Sequence, residues 1–171
     1  MDYDQYPFTV YDNALGFANA FRLLLTKTSL QALMAGGTYA DASMIMPTVV
    51  NGAFACELFL KALMTNSSKK HSIIELLDDL DIEQAGIKEA IKCTCVSLMK
   101  TEKHDLNYDG NTFDIDLRRI DKAFVKLRYW HEPNPDSHNE VVCNLDFLEA
   151  FLNLLQTICE QKYGPRPLVK C

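Results

Sequence analysis

The run "AFACELFLKALM", residues 53–64, constrains the fold more than any other stretch of the chain. Nearly every position in it is apolar. A helix that is apolar on all sides has to lie at the centre of a domain, with neighbours around it. Only Glu57 and Lys61 interrupt the run. Three and four positions from Glu57 on a helix stand Ala53, Phe54, Leu60 and Lys61. A carboxylate in that setting must be paired, hydrogen-bonded or protonated. Two readings are open. Lys61, at i+4 in the favourable order, makes a semi-exposed pair at a helix edge, worth little. Alternatively Glu57 faces a cation on another helix, which the apolar surroundings favour.

The rest of the chain follows the same helical period. "NALGFANAFRLLLTKTSLQALM" returns Leu15, Ala18, Phe21, Leu25 and Leu33 to one face, and "AGG" at 35–37 ends that helix. The second helix is expected from Tyr39 to Met64, with a kink at Pro47 or a start after it. "TNSSKK" reads as a loop. "SIIE" at 72–75 reads as a capping box, with Ser72 as cap and Glu75 folding back, ahead of a short helix to Leu80. "DIEQAGIKEAIKCTCVSLMK" gives a fourth helix and "HDLNYDGNT" a turn-rich loop. "DIDLRRIDKAFVKLRYWHE" gives a fifth helix stopped by Pro133, and "LDFLEAFLNLLQTICEQKY" a sixth closed by Gly164 and Pro165. "NEVVCN", before the sixth, has a faint strand character. The expectation is an all-α, antiparallel bundle of five to six helices, a single domain over residues 1–171.

Charge and cysteine usage narrow the function. The formal net charge of −6 gives nucleic acid no general attraction, so any such contact needs a local basic patch. "MDYDQYPFTVYD" does not read as a signal peptide, and no apolar run approaches a membrane span, so the expectation is a cytoplasmic protein without membrane contact. The six cysteines form no CxxC pair and there is no His-x-x-x-His. Cys93 and Cys95 point to different faces of a helix. Reduced thiols are expected, with neither metal nor cofactor.

The chemistry-bearing residues gather late in the chain. Leu117, Ile120, Phe124 and Leu127 form the apolar stripe of the fifth helix, with Arg128 on its edge and His131 one turn beyond. Arg128 can reach a carboxylate with its planar fork, which makes Glu57 and Arg128 an expected pair across two helices. Arg128 and His131 stand roughly 60° apart around an ideal helix, so they can grip one anion together. Tyr129 and Glu132 belong to the same edge. On the outer side Arg118, Lys122 and Lys126 recur every four residues. Such a stripe is ordinarily a solvated face; the alternative is a phosphate track. His71, after Lys69 and Lys70 and before a helix N-terminus, could hold an anion with the free backbone amides there.

Three segments resemble the HEPN family, helical domains of prokaryotic defence and toxin–antitoxin systems that also occur in some eukaryotic proteins. "ACELFLKALM" is similar to the family's second-helix pattern, "KKHSIIELLDDL" to the His-led short helix after it, and "FVKLRYWHE" to the later helix with an Arg–Tyr pair. The resemblance implies a helical bundle and a homodimer, for which Tyr129, Trp130, Phe147 and Phe151 offer surface. Nuclease members carry an Arg followed after four to six residues by His, and two copies cleave RNA at a shared cleft without metal. Here Arg128 and His131 enclose only two residues, and only Lys126 stands at family spacing from His131. Lysine cannot reproduce the bidentate fork.

The expectation is therefore a non-catalytic HEPN-like module that binds a partner protein, nucleotide or RNA in a defence or toxin–antitoxin context. Its binding residues would be Glu57, Lys61, His71, Arg128, Tyr129, His131 and Glu132. The enzyme alternative is a metal-independent endoribonuclease with His131 and Arg128 as catalytic residues. A helical scaffold without ligand is the third reading.

Overall fold

The computed structural model describes residues 6–34, 42–121 and 143–165. They form six helices: α1 Tyr6–Met34, α2 Ala42–Leu63, α3 Ile73–Glu83, α4 Ile87–Thr101, α5 Gly110–Ile120 and α6 Leu145–Tyr163. The fold is an all-α bundle, and no strand occurs among the described residues. Cys143 and Asn144, the described end of the faint strand signal, are irregular, and Asn144 caps α6 with its side chain.

The apolar run does what its composition requires. α2 packs against α1, α3 and α6, and Ala53, Ala55, Cys56, Phe59, Leu60, Ala62 and Leu63 are buried. Over Met44–Leu63 the helix is long and apolar enough to cross a membrane, which the sequence reading had not counted; half of that stretch is buried inside the fold. Gly52 of α2 lies directly under side chains of α1 and α6. A Cβ there would stand 2.7 Å from Phe21 Cδ2 and 2.8 Å from Leu148 Cδ2. The far end of the core is aromatic, with Phe113 edge-on to Phe147 and Phe147 stacked on Phe151. Arg22 of α1 donates to Asn153 (2.8 Å) and Gln156 (2.6 Å) of α6, and Lys162 of α6 donates to the Leu63 carbonyl at the end of α2 (2.7 Å).

Several boundaries differ from the sequence reading, each for a local reason. α2 starts before Pro47, and the Thr48 hydroxyl and Asn51 amide donate to the Met44 and Pro47 carbonyls in that turn. "DIE" at 81–83 completes α3 and does not open α4. Gly86 separates the two at φ 86°, a conformation that favours glycine, and Asp81 caps α4 by accepting from the Lys88 amide (3.0 Å). α5 begins four residues early, because Asp109 accepts from the Thr112 amide and hydroxyl, both at 2.8 Å. It also ends early. Asp121 leaves the helix at φ −58°, ψ 128°, so one continuous helix from 114 to 132 does not form.

Candidate functional site

Where Asp121 leaves α5, its carboxylate serves another helix. Ser72, the N-cap of α3, accepts from the Glu75 amide at 3.2 Å and donates its hydroxyl to Asp121 Oδ1 at 2.8 Å. The same oxygen accepts from the Ile74 amide at 3.3 Å. The capping half of the expected box is present. The carboxylate that completes it comes from Asp121, forty-nine positions from Ser72, while Glu75 stays exposed. The anion at this N-terminus is thus one of the chain's own side chains.

His71 stands immediately before that cap and turns the other way. Its Nδ1 lies 3.0 Å from Glu57 Oε1, and Lys61 Nζ lies 2.8 Å from the same oxygen. With Glu57 ionised, the Nδ1 position carries the proton and donates. Glu57 and Lys61 are inside, their side chains 3% and 10% exposed; His71 is 58% exposed. Three expected binding residues therefore meet at one carboxylate oxygen. The pair is buried where the first reading expected a helix edge, and its second hydrogen-bonding partner comes from the loop before α3.

Arg128, Tyr129, His131 and Glu132 lie outside the described residues, as do Lys126 and Trp130, and the expected Glu57–Arg128 pair falls there with them. Phe147 and Phe151 are fully buried in the core, so they supply no dimer surface. Both belong to the inward face of α6 that α5 covers with Phe113.

Beside the His71 loop is a shallow hollow of about 580 Å³, bounded by Met64, residues 66–70, Asp79, Ile82 and Glu83. Lys70 reaches across it to both oxygens of Asp79 (2.7 and 2.9 Å), which raises its affinity for the proton. Lys69 is exposed.

A second polar centre lies in the core. Asp116 is 1% exposed. Its Oδ2 accepts from the Tyr108 hydroxyl (3.1 Å) and the Asn144 amide (2.9 Å), and its Oδ1 accepts from Arg119 (3.0 Å). Asn144 also caps α6, so this carboxylate joins α5 to the start of α6. Burial and then the Asp116 charge push the Cys95 thiol to about 12. The same two causes push Cys143 to about 12, with Arg119 pulling the other way. Such thiols are protonated and inert at neutral pH. The sequence reading missed Asp116, yet the signal was present: three and four residues from it stand Phe113 and Ile120, on the apolar face of α5. Among the described residues no group of His, Cys, Asp and Glu could hold a metal ion.

No family model matches the chain, and neither the curated proteins nor the solved structures give a match.

Proposed function

We propose that this chain is a non-catalytic, HEPN-like module that binds RNA weakly through its phosphates, in a prokaryotic defence or toxin–antitoxin setting. The observation that carries this reading is the Ser72–Asp121 hydrogen bond. It fastens the end of α5 beside the loop that bears Lys69, Lys70 and His71. In sequence, the end of α5 leads directly into Lys122, Lys126, Arg128 and His131. The loop of Lys69, Lys70 and His71 and the residue from which the second basic run continues in sequence thus stand at one edge of an acidic protein. A local basic patch built there is what phosphate binding would need when overall charge opposes it.

The described groups favour binding over catalysis. His71 and Lys61 both serve the buried Glu57 carboxylate, and Lys70 serves Asp79. Lys69 and the outward part of His71 remain for a ligand. The short spacing from Arg128 to His131 supports the same reading, since the nuclease pattern of the resembled family is wider.

The test is a fluorescence-anisotropy titration of labelled single-stranded RNA at low salt, with the RNA examined for integrity afterwards. Binding without cleavage, weakened by Lys69→Ala and by Arg128→Ala, is expected. Multiple-turnover cleavage that His131→Ala abolishes would replace this reading with the endoribonuclease.

A further inference from the structure

Two helices turn faces of opposite net charge to solvent, and each face carries an exposed isoleucine, near the end of α3 and midway along α5. On α3, Ile82 is 83% exposed. At 100° per residue, Glu75, Asp78 and Asp79 fall within roughly 60° of Ile82 around the axis, with Glu83 about 100° away. Lys88 and Lys70 bind Asp78 and Asp79, which offsets two of these four carboxylates and leaves the face acidic. On α5, Ile115 is 43% exposed. Arg118 and Arg119 lie roughly 60° and 40° to either side of it. Arg118 is exposed, and Arg119, though bound to Asp116, keeps 45% of its side chain in solvent.

Single exposed apolar residues are common and ask for no partner. Here the face around Ile82 keeps more carboxylates than the two lysines bound to them, the face around Ile115 carries Arg118 and Arg119 with Asp114 about 100° away and bound to Lys92, and the two surpluses are complementary. We propose that the α3 face of one copy docks on the α5 face of another, Ile82 against Ile115, with the carboxylates of α3 around the arginines of α5. This contact is separate from the RNA reading and can fail without it. It also uses neither Phe147 nor Phe151, which the core has already covered. Few apolar atoms are involved, so attraction between charges sets most of its strength, and salt weakens it.

Sedimentation equilibrium tests this across a micromolar to near-millimolar series. At about 50 mM salt, where charges act beyond 10 Å, the weight-average mass should rise above the 19.4 kDa of one chain. It should return to that value at about 1 M salt, where they are screened within about 3 Å. Arg118→Glu, Glu75→Lys and Ile82→Ser should each abolish the rise; all three positions are exposed, and unchanged circular dichroism melting verifies their folding. An equimolar mixture of Arg118→Glu and Glu75→Lys chains should restore association, because the unaltered α3 face of the first chain then meets the unaltered α5 face of the second. A monomer mass throughout, a rise that survives Arg118→Glu and Ile82→Ser, or a mixture that fails to associate would each overturn the proposal.

Discussion

Removing the Glu57 carboxylate tests the interior of the site. In Glu57→Ala the Lys61 ammonium loses its acceptor while its side chain is only 10% exposed. Breaking a buried ion pair from one side costs about 3–5 kcal/mol, because the remaining charge is stranded. His71 adds little to that figure. More than half of its side chain is already in water, so it re-solvates when the carboxylate goes. The lysine stem can also carry its charge outward, which puts the expectation near the lower bound, about 3 kcal/mol. For a chain of this length each kcal/mol lowers Tm by roughly 2–4 °C, so the drop should be roughly 6–12 °C. Replacing both partners by methionine leaves no stranded charge, and that double variant should melt close to the parent, within about 1.5 kcal/mol. Urea denaturation and thermal melts of the parent, Glu57→Ala, Lys61→Met and Glu57→Met/Lys61→Met supply the comparison. A Glu57→Ala midpoint equal to the parent's would refute the buried-pair reasoning. So would a double variant as unstable as the summed single changes.

The second polar centre yields its own expectation. Asp116→Ala strands the buried Tyr108 hydroxyl, while the half-buried Asn144 amide can turn to water, and should cost about 1–3 kcal/mol for the stranded group, visible as an early urea midpoint; a parent-like midpoint would count against the network. The Asp109 carboxyl, capping α5, is held below its ordinary value by the Thr112 amide first and the Thr112 hydroxyl second. A depressed folded-state value means that its stabilisation is present above the ordinary carboxylate range and fades as pH falls through the lowered one. Asp109→Asn should therefore flatten the acid limb of a stability–pH curve, and an unchanged limb would contradict the cap. Burial protects the Cys56, Cys95 and Cys159 thiols and leaves Cys93 exposed, so alkylation followed by mass spectrometry should label Cys93 well before those three in the native protein; simultaneous labelling would contradict it.

What the sequence revealed and what it concealed divide along contact range. The central place of α2 followed from residues 53–64 alone, since an apolar helix has few alternatives to burial. Ser72 was recognisable as a cap because the motif lies within four residues. Asp121 was not, because its partners are Ser72 and Ile74, and no local pattern shows that a residue near the end of one helix will serve the start of another. That single long-range contact also explains why the fifth helix was read too long: "RRIDKAFVKL" keeps a helical period straight through 121, and the tertiary hydrogen bonds override it. Glu57 shows both effects. Its pairing with Lys61 was legible as an i, i+4 step, whereas His71 enters from a loop and the depth of burial depends on α3 packing. Asp116 was legible in principle and concealed in practice by the charged residues beside it.

The proposed function puts RNA phosphates against the edge joined by Ser72 and Asp121. The salt dependence of the binding constant for single-stranded RNA tests it most directly. With about three phosphate contacts the slope of log K against log salt should be about −2, a loss of roughly 20-fold between about 50 and 200 mM. Lys69→Ala should make the slope less steep by about 0.7, the share of one contact. A slope near zero, or no binding at the lowest salt, would contradict phosphate binding at this edge.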